Sequence, residues 1–232
     1  MDRIKYVIDE FAGAGLSIDV IQADKYVRLC DYMIEYNKNV NLTAITEFED
    51  VIMKHFIDSV LPFSMIEIKQ CESFIDVGTG AGFPSIPLLI YRPDLKATLC
   101  DSLNKRCIYL ERVCDEIGIS ANVIHARSEE LGRKIREQFD FSTARAVAAM
   151  PVLMEYCLPF VKVGGRFIAL KSVNEDVSTA IKAAKLLGGA EIEVTDYKLP
   201  NGDDRRLAIT KKISPTPTKY PRSSANIAKK PL

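Results

Sequence analysis

Ser73-Phe74-Ile75-Asp76-Val77-Gly78-Thr79-Gly80-Ala81-Gly82 is the stretch on which the fold of this chain turns. Residues 73–77 read as a short strand, and three glycines at alternate positions follow it directly. A strand that breaks into glycines and is followed by a helical pattern, here over 86–91, predicts a tight strand–turn–helix unit. Glycine lets the backbone turn sharply and come close to a ligand. The helix start just beyond the turn offers N–H groups to an anionic partner.

The alternation continues outward. Further strands are predicted over 96–100, 122–125 and 139–144, with helices over 103–117, where Ile108, Val113 and Ile117 are among the apolar positions, and over 150–161. Gly164-Gly165 turns into a strand over 166–170, and a helix over 175–187 precedes strands over 191–197 and 206–212. Strands alternating with helices from 74 to 187 predict parallel βαβ units under right-handed crossovers. No helix separates the last two strands, so they are expected to pair antiparallel. Upstream, Ile4, Val7, Ile8 and Phe11 share one helical face, and Gly13 and Gly15 end that helix. Asp19 with Gln22 starts a second helix, whose expected buried stripe is Ala23, Val27, Cys30 and Ile34 and whose stop is the Asn-rich stretch 37–41. A third helix fits 50–60, before Pro62.

The predicted class is therefore α/β: a Rossmann-like sheet with helices on both faces, preceded by N-terminal helices. The expected divisions are a helical segment over 1–70 packed on the catalytic domain, a Rossmann-like domain over 71–213 and a basic tail over 214–232. The tail is rich in Pro, Ser and Lys and is expected to be loosely ordered.

The glycine spacing bears on the cofactor. A dinucleotide pattern begun at Gly78 requires glycine at position 83, where Phe83 stands, followed by Pro84. A bulky ring there argues against close packing on a pyrophosphate. Asp101, at the end of the second strand, fits the acid that binds ribose hydroxyls about 20 residues beyond the glycine turn. That acid does not separate the candidate cofactors, since both carry a ribose. The glycine spacing favours S-adenosylmethionine, whose carboxylate suits the helix start. Gly78, Gly80, Gly82 and Asp101 are thus candidate cofactor residues. Ser128 and Glu129 follow the third strand and can contact the adenine; a Ser-Glu-Glu run equally starts a helix. Arg145 ends the fourth strand, where open sheets hold ligands, with a structural ion pair as the alternative.

A chain of 232 residues suffices for one sizeable core, or one catalytic domain with a small helical addition. Its 47% hydrophobic and 27% charged residues exclude wholesale disorder. No apolar run reaches bilayer length, and the start lacks the apolar stretch of a secretory signal, so a cytoplasmic location without membrane contact is expected. Cys30, Cys71, Cys100, Cys107, Cys114 and Cys157 include no Cys-x-x-Cys pair, and His55 and His125 lie far apart, so no metal site is expected and the thiols read as reduced and mostly buried. Net charge is zero, but beyond Asp204 the chain carries Arg205, Arg206, Lys211, Lys212, Lys219, Arg222, Lys229 and Lys230 with no acid. Such an end either touches phosphates or is solvated.

Asn41-Leu42-Thr43-Ala44-Ile45, Lys54-His55-Phe56-Ile57-Asp58-Ser59, Asp76 to Pro84, Asp101-Ser102-Leu103-Asn104-Lys105-Arg106 and Arg145-Ala146 together resemble the ribosomal RNA small subunit methyltransferase G family, also called glucose-inhibited division protein B. The resemblance runs in order from about Asp19 to the end of the chain. It implies formation of 7-methylguanosine in 16S ribosomal RNA, a partner that is that RNA or the small subunit, and cofactor contacts at Gly78, Phe83, Ser128, Glu129 and Arg145. Tyr220-Pro221-Arg222 and Lys229-Lys230-Pro231-Leu232 match the family's ending, whereas Ser223-Ser224-Ala225-Asn226-Ile227 replaces a Gly-Thr-Pro stretch.

The chemistry agrees with that implication. Guanine N7 has an in-plane lone pair and no proton to lose, so alignment and proximity suffice and no general base is required. Transfer to an exocyclic amine often uses Asp/Asn-Pro-Pro-aromatic after the fourth strand, where this chain has Ala144-Arg145-Ala146-Val147; no Pro-Cys of the cytosine-C5 kind occurs. Neither histidine lies beside the glycine turn in sequence. His55 and Asp58 are spaced to share a helical face, either at the mouth of the site or as a pair fixing the N-terminal helices, and Lys105 and Arg106 suit phosphate or a plain helix surface. The competing readings are a small-molecule or protein methyltransferase of the same fold, a non-enzymatic RNA-binding assembly factor and, more distantly, an NAD oxidoreductase. A monomer is expected.

Overall fold

Asp2 accepts from the Lys5 N–H and starts helix α1 (Arg3–Gly13). Asp19 and Gln22 cap each other reciprocally, at 2.7 and 3.0 Å, to start α2 (Val20–Asn37), as their spacing predicts. A computed structural model describes residues 2–145 and 148–232. The positions Ala146 and Val147, on which two of the sequence motifs draw, lie outside the described residues.

The third helical stretch is longer than expected. It comprises α3 (Phe48–Val51), a π-helical segment (Ile52–Ile57) and α4 (Asp58–Ser64), and Pro62 lies inside α4 rather than beyond it. A proline removes one helical hydrogen bond. Burial of Val60 and Phe63 on either side of it opposes that loss.

There follow β1 (Ser73–Val77), α5 (Ser85–Tyr91), β2 (Lys96–Asp101), α6 (Asn104–Ile117), β3 (Asn122–His125), α7 (Ser128–Lys134), β4 (Phe139–Arg145), α8 (Met150–Cys157), β5 (Val161–Lys171), α9 (Ile181–Leu186), β6 (Gly189–Lys198), β7 (Asp204–Lys212) and α10 (Ser224–Lys229). The sheet has seven strands in the order β3-β2-β1-β4-β5-β7-β6. The first five pair parallel, and β7 runs antiparallel to both β5 and β6. Pairing of Val77 with Cys100, Asp101 with His125 and Arg145 with Leu170 brings the carboxyl ends of the parallel strands to one edge. Strand order reverses between β1 and β4, which opens a crevice at that edge.

Side chains alternate across β1. Phe74 stacks on Phe141 at 4.7 Å in a core that also takes Phe11, Tyr26 and Phe56 from the N-terminal helices and Tyr109 and Leu110 from α6. Ile75 and Val77 face the opposite core with Leu131 of α7, Met154 of α8 and Ala183 of α9. Fully burying a side chain of this size contributes roughly 1.5–3 kcal/mol, so the N-terminal helices are bound to the sheet mainly by apolar packing. The stripe expected on α2 is shifted: Tyr26, Leu29 and Met33 are buried with Ala23 and Cys30, while Val27 and Ile34 are only half-buried. Ile108 of α6 is exposed.

Four further expectations are corrected. The helix expected over 150–161 ends at Cys157, and Pro159, which has no N–H, sits in a closing 3-10 turn, Leu158–Phe160. Strand β5 begins at Val161, before the two glycines, because Val161 already pairs with Phe139; a Cβ on Gly165 would lie 2.3 Å from the Asp140 carbonyl oxygen. The helix expected over 175–187 is a 3-10 turn, Val177–Ala180, under the Asp176 cap, followed by the shorter α9. Finally, the tail is packed rather than loosely ordered: Tyr220 and Ile227 are buried, and the Arg222 guanidinium binds the buried Glu155 carboxylate.

Candidate functional site

The glycine turn is tied down from below. The Gly78 and Thr79 N–H groups both donate to the Cys100 carbonyl, at 2.8 and 3.2 Å, which fixes the exit of β1 against the end of β2. Gly78, Gly80 and Gly82 have φ of 71°, 61° and 90°, in the left-handed region that favours glycine. A Cβ on Gly82 would lie 2.3 Å from Ile86 Cδ1. The expectation of free N–H groups at the helix start is met only in part. Gly82 and Phe83 donate to the Thr79 carbonyl and Ile86 donates to Gly82, so the loop spends these donors on itself.

Asp101 ends β2 facing the turn. Its Oδ2 accepts from the Gly80 N–H at 3.0 Å and its Oδ1 from the Leu103 N–H at 2.9 Å, with Arg106 at 3.5 Å. Oδ1 retains a second lone pair for a ligand hydroxyl, whereas Oδ2 accepts from both Gly80 and Arg106. Asp76 is buried beneath the turn and accepts from the Ser85 hydroxyl at 2.7 Å. Burial pushes its carboxyl up to about 7, against the downward pull of that hydrogen bond.

Two cavities adjoin above these residues and share Gly78, Asp101 and Ser102. The first, of about 410 Å³, is also lined by Thr43, His55, Gly80, Phe83, Arg106 and Arg145. The second, of about 130 Å³, is lined by Ala126, Arg127, Ser128, Glu129 and Tyr156. The structure thus brings Gly78, Gly80, Phe83, Asp101 and Arg145 to one cavity and Ser128 and Glu129 to its neighbour, while Gly82 sits behind the turn against Ile86. The helix-start reading of the serine–glutamate pair holds, since Ser128 begins α7, and the pair also lines the smaller cavity.

Arg145 is the hub of the first cavity's wall. Its guanidinium donates to Ser59 Oγ at 3.1 Å, to the Lys54 carbonyl at 3.2 Å and to His55 Nδ1 at 2.9 Å, and lies 3.5 Å from Asp58. Asp58 also accepts from Arg205 at 2.9 Å. The ion pair considered for Arg145 is therefore present, at a residue that also lines the cavity. Arginine has only donors, so His55 Nδ1 accepts and Nε2 carries the proton, which it donates to Thr43 Oγ1 at 2.7 Å. Burial, aided by the Arg145 charge, lowers the His55 pKa to about 4 and keeps the ring neutral. His55 and Asp58 do not bind one another; both bind Arg145. The π-helical turn makes this geometry, and the Ser59 hydroxyl and Arg145 take up the His55 carbonyl.

Sequence distance hid this part of the site. His55 stands far from the glycine turn in the chain, yet its ring stacks on Phe83 with centroids 4.6 Å apart. The residues alone point to no role for Thr43 or Tyr156 and leave Arg106 between phosphate and a plain helix surface. For Thr43, His55 and Arg106 the available signal was their place in the stretches 41–45, 54–59 and 101–106; Tyr156 had none. A third cleft, of about 560 Å³, opens on the other side of Arg145 and is lined by Lys54, Asp58, Lys171, Glu175 and Arg205.

Comparison with known proteins bears on what this arrangement does. A family model described as rRNA small subunit methyltransferase G matches residues 22–206. The chain is 46% identical to Ribosomal RNA small subunit methyltransferase G of Acetivibrio thermocellus over 98% of its own length and 96% of that protein. It is 46% identical to the protein of the same name from Alkaliphilus metalliredigens, over 94% of each. In fold it is similar to a SAM-dependent O-methyltransferase from Thermotoga maritima, with TM-score 0.54 and 18% identity over 80% of this chain and 73% of that one. A predicted O-methyltransferase from Agrobacterium tumefaciens is similar too, with TM-score 0.55 and 17% identity over 68% and 80% of the two chains.

Proposed function

This methyltransferase belongs to the ribosomal RNA small subunit methyltransferase G family, and on that premise we propose that it transfers a methyl group from S-adenosylmethionine to N7 of a guanine in 16S ribosomal RNA. The observation that carries the cofactor is the Asp101 carboxylate, which lines both cavities and is held by the Gly80 and Leu103 N–H groups with a lone pair left on Oδ1. A ribose hydroxyl donates to that lone pair. The adenine fits the smaller cavity beside Ser128, Glu129 and Tyr156, and the amino-acid end fits the larger one beside the glycine turn and Arg145. When bound, the cofactor supplies an electrophilic methyl on a sulfonium.

The chain's own groups orient the reactants rather than move protons. His55 has both ring nitrogens engaged and stays neutral, and both Asp101 oxygens accept from the backbone. An acceptor with an in-plane lone pair and no proton to lose matches such a site. The acceptor base enters by the cleft across Arg145, which Lys54 and Arg205 line with positive charge suited to a phosphate chain. Among the described residues no helix is long and apolar enough to cross a membrane.

The test is transfer of a labelled methyl group to 16S ribosomal RNA or small subunits from cells lacking the gene, followed by mapping of the modified nucleotide. A label on a single guanine, sensitive to chemical cleavage at 7-methylguanosine, is expected. Unlabelled RNA beside a methylated small molecule overturns the assignment.

A further inference from the structure

The chain does not end its work at β7. Residues 214–222 cross back over α7 and α8 through a set of directed contacts. The Thr216 N–H donates to Glu137 at 2.7 Å, and the Arg136 guanidinium donates to the Thr216 and Tyr220 carbonyls at 2.7 and 2.6 Å. Arg133 donates to the Pro221 carbonyl at 3.1 Å, and Pro221 lies against Gly132, where a Cβ would meet its ring at 3.5 Å. Arg222 then closes on Glu155. Its backbone N–H donates to Oε1 at 2.8 Å, and its guanidinium donates to both oxygens at 2.6 to 3.1 Å. Glu155 is fully buried, so this carboxylate depends on its partner.

Both anchored helices are walls of the smaller cavity. Helix α7, of seven residues, is too short to hold its shape without tertiary contacts, and its last turn is what the segment grips; its first turn presents Ser128 and Glu129. Glu155 directly precedes Tyr156, the residue that α8 gives to the same cavity. Gly132 and Arg133 each lie four residues beyond Ser128 and Glu129, so a shift of one end of α7 moves the other.

We propose that residues 214–222 form a strap that sets the adenosine end of the cofactor cavity, with Arg222 as a positioning residue acting through Glu155 on Tyr156. The inference rests on the cofactor reading above, and it assigns the C-terminal segment a role in cofactor affinity that is separate from any contact with RNA.

Calorimetric titration of the whole protein with S-adenosylhomocysteine and with 5′-methylthioadenosine, which lacks the amino-acid end, tests it. In Arg222→Ala both dissociation constants should rise by the same factor, about tenfold, with a smaller rise in Arg222→Lys. The kcat at saturating cofactor should stay at the wild-type value, because Arg222 touches neither reactant. Unchanged dissociation constants in folded Arg222→Ala overturn the strap. If that variant does not fold, hydrogen exchange on the wild-type protein decides. Coupling is reciprocal, so S-adenosylhomocysteine must slow exchange at the Thr216 and Arg222 amides if the strap strengthens its binding. Slowing at residues 78–83 with none at those two amides overturns the strap as well. A folded wild-type protein that binds neither titrant overturns the cofactor reading itself, before any substitution is made.

Discussion

Gly82 shows how closely single residues are specified. Its φ of 90° and the 2.3 Å approach that a Cβ would make to Ile86 act together. Gly82→Ala should lower stability by about 1–2 kcal/mol from the backbone alone, read by urea unfolding, and should displace the turn from Asp101, read as weaker S-adenosylhomocysteine binding. Asp101→Asn preserves shape but puts an NH2 where a carboxylate oxygen accepts from the backbone. Its affinity for S-adenosylhomocysteine should fall by about tenfold or more; titration showing wild-type affinity contradicts the assigned role. Asp76 makes a pH prediction. Its folded value, about 7, lies above the unfolded value of about 3.9. The folded state therefore holds the extra proton, and the associated stability is full below about pH 4 and is lost as pH rises through about 7. Asp76→Asn removes that loss, so unfolding at pH 5 and pH 8 should show the variant gaining on wild type at the higher pH; a constant difference contradicts it. Gly78, Gly80, Gly82 and Asp101 were legible because local spacing encodes them. Thr43 and His55 were not legible from local chemistry, since what places them is a fold contact with Phe83 and Arg145.

At the scale of elements, β1 and β3 were read to the residue, because each is an uninterrupted short strand closed by polar or glycine residues. The misread boundaries have local causes: Pro62 and Pro159 are tolerated where burial or a 3-10 turn accommodates them, and the glycine pair lies within β5 rather than before it. The π-helical turn has no signature in composition, yet it sets how Arg145 meets His55, Ser59 and Asp58. Lysine has one point charge and cannot reproduce the planar fork that serves several acceptors. Arg145→Lys should therefore cost about 2–3 kcal/mol of stability and most of the methyl-transfer rate, measured by thermal unfolding and single-turnover transfer. A fully active, equally stable lysine variant contradicts the hub described above.

In the whole molecule the N-terminal helices share one apolar core with the sheet, from Phe11 and Tyr26 to Phe74, Phe141 and Leu207. A chain without residues 1–45 would expose that face and should fail to give a folded, cooperatively unfolding product; a soluble truncation with a sharp thermal transition contradicts this. The parallel run and the antiparallel close were legible from alternation alone, whereas the strand order and the packed tail were not. Its composition reads as phosphate-binding or solvated, and Glu155, buried on a distant helix, together with the Lys230 carbonyl accounts for the position of Arg222. On the function proposed above, the turn after β1 and the acid at the end of β2 form a site for S-adenosylmethionine. Titration of the purified, folded protein with S-adenosylhomocysteine and, separately, with NAD tests this directly. An S-adenosylmethionine site gives saturable single-site binding of the first and no heat from the second. Absence of binding by S-adenosylhomocysteine, or competition by NAD for the same site, would contradict it.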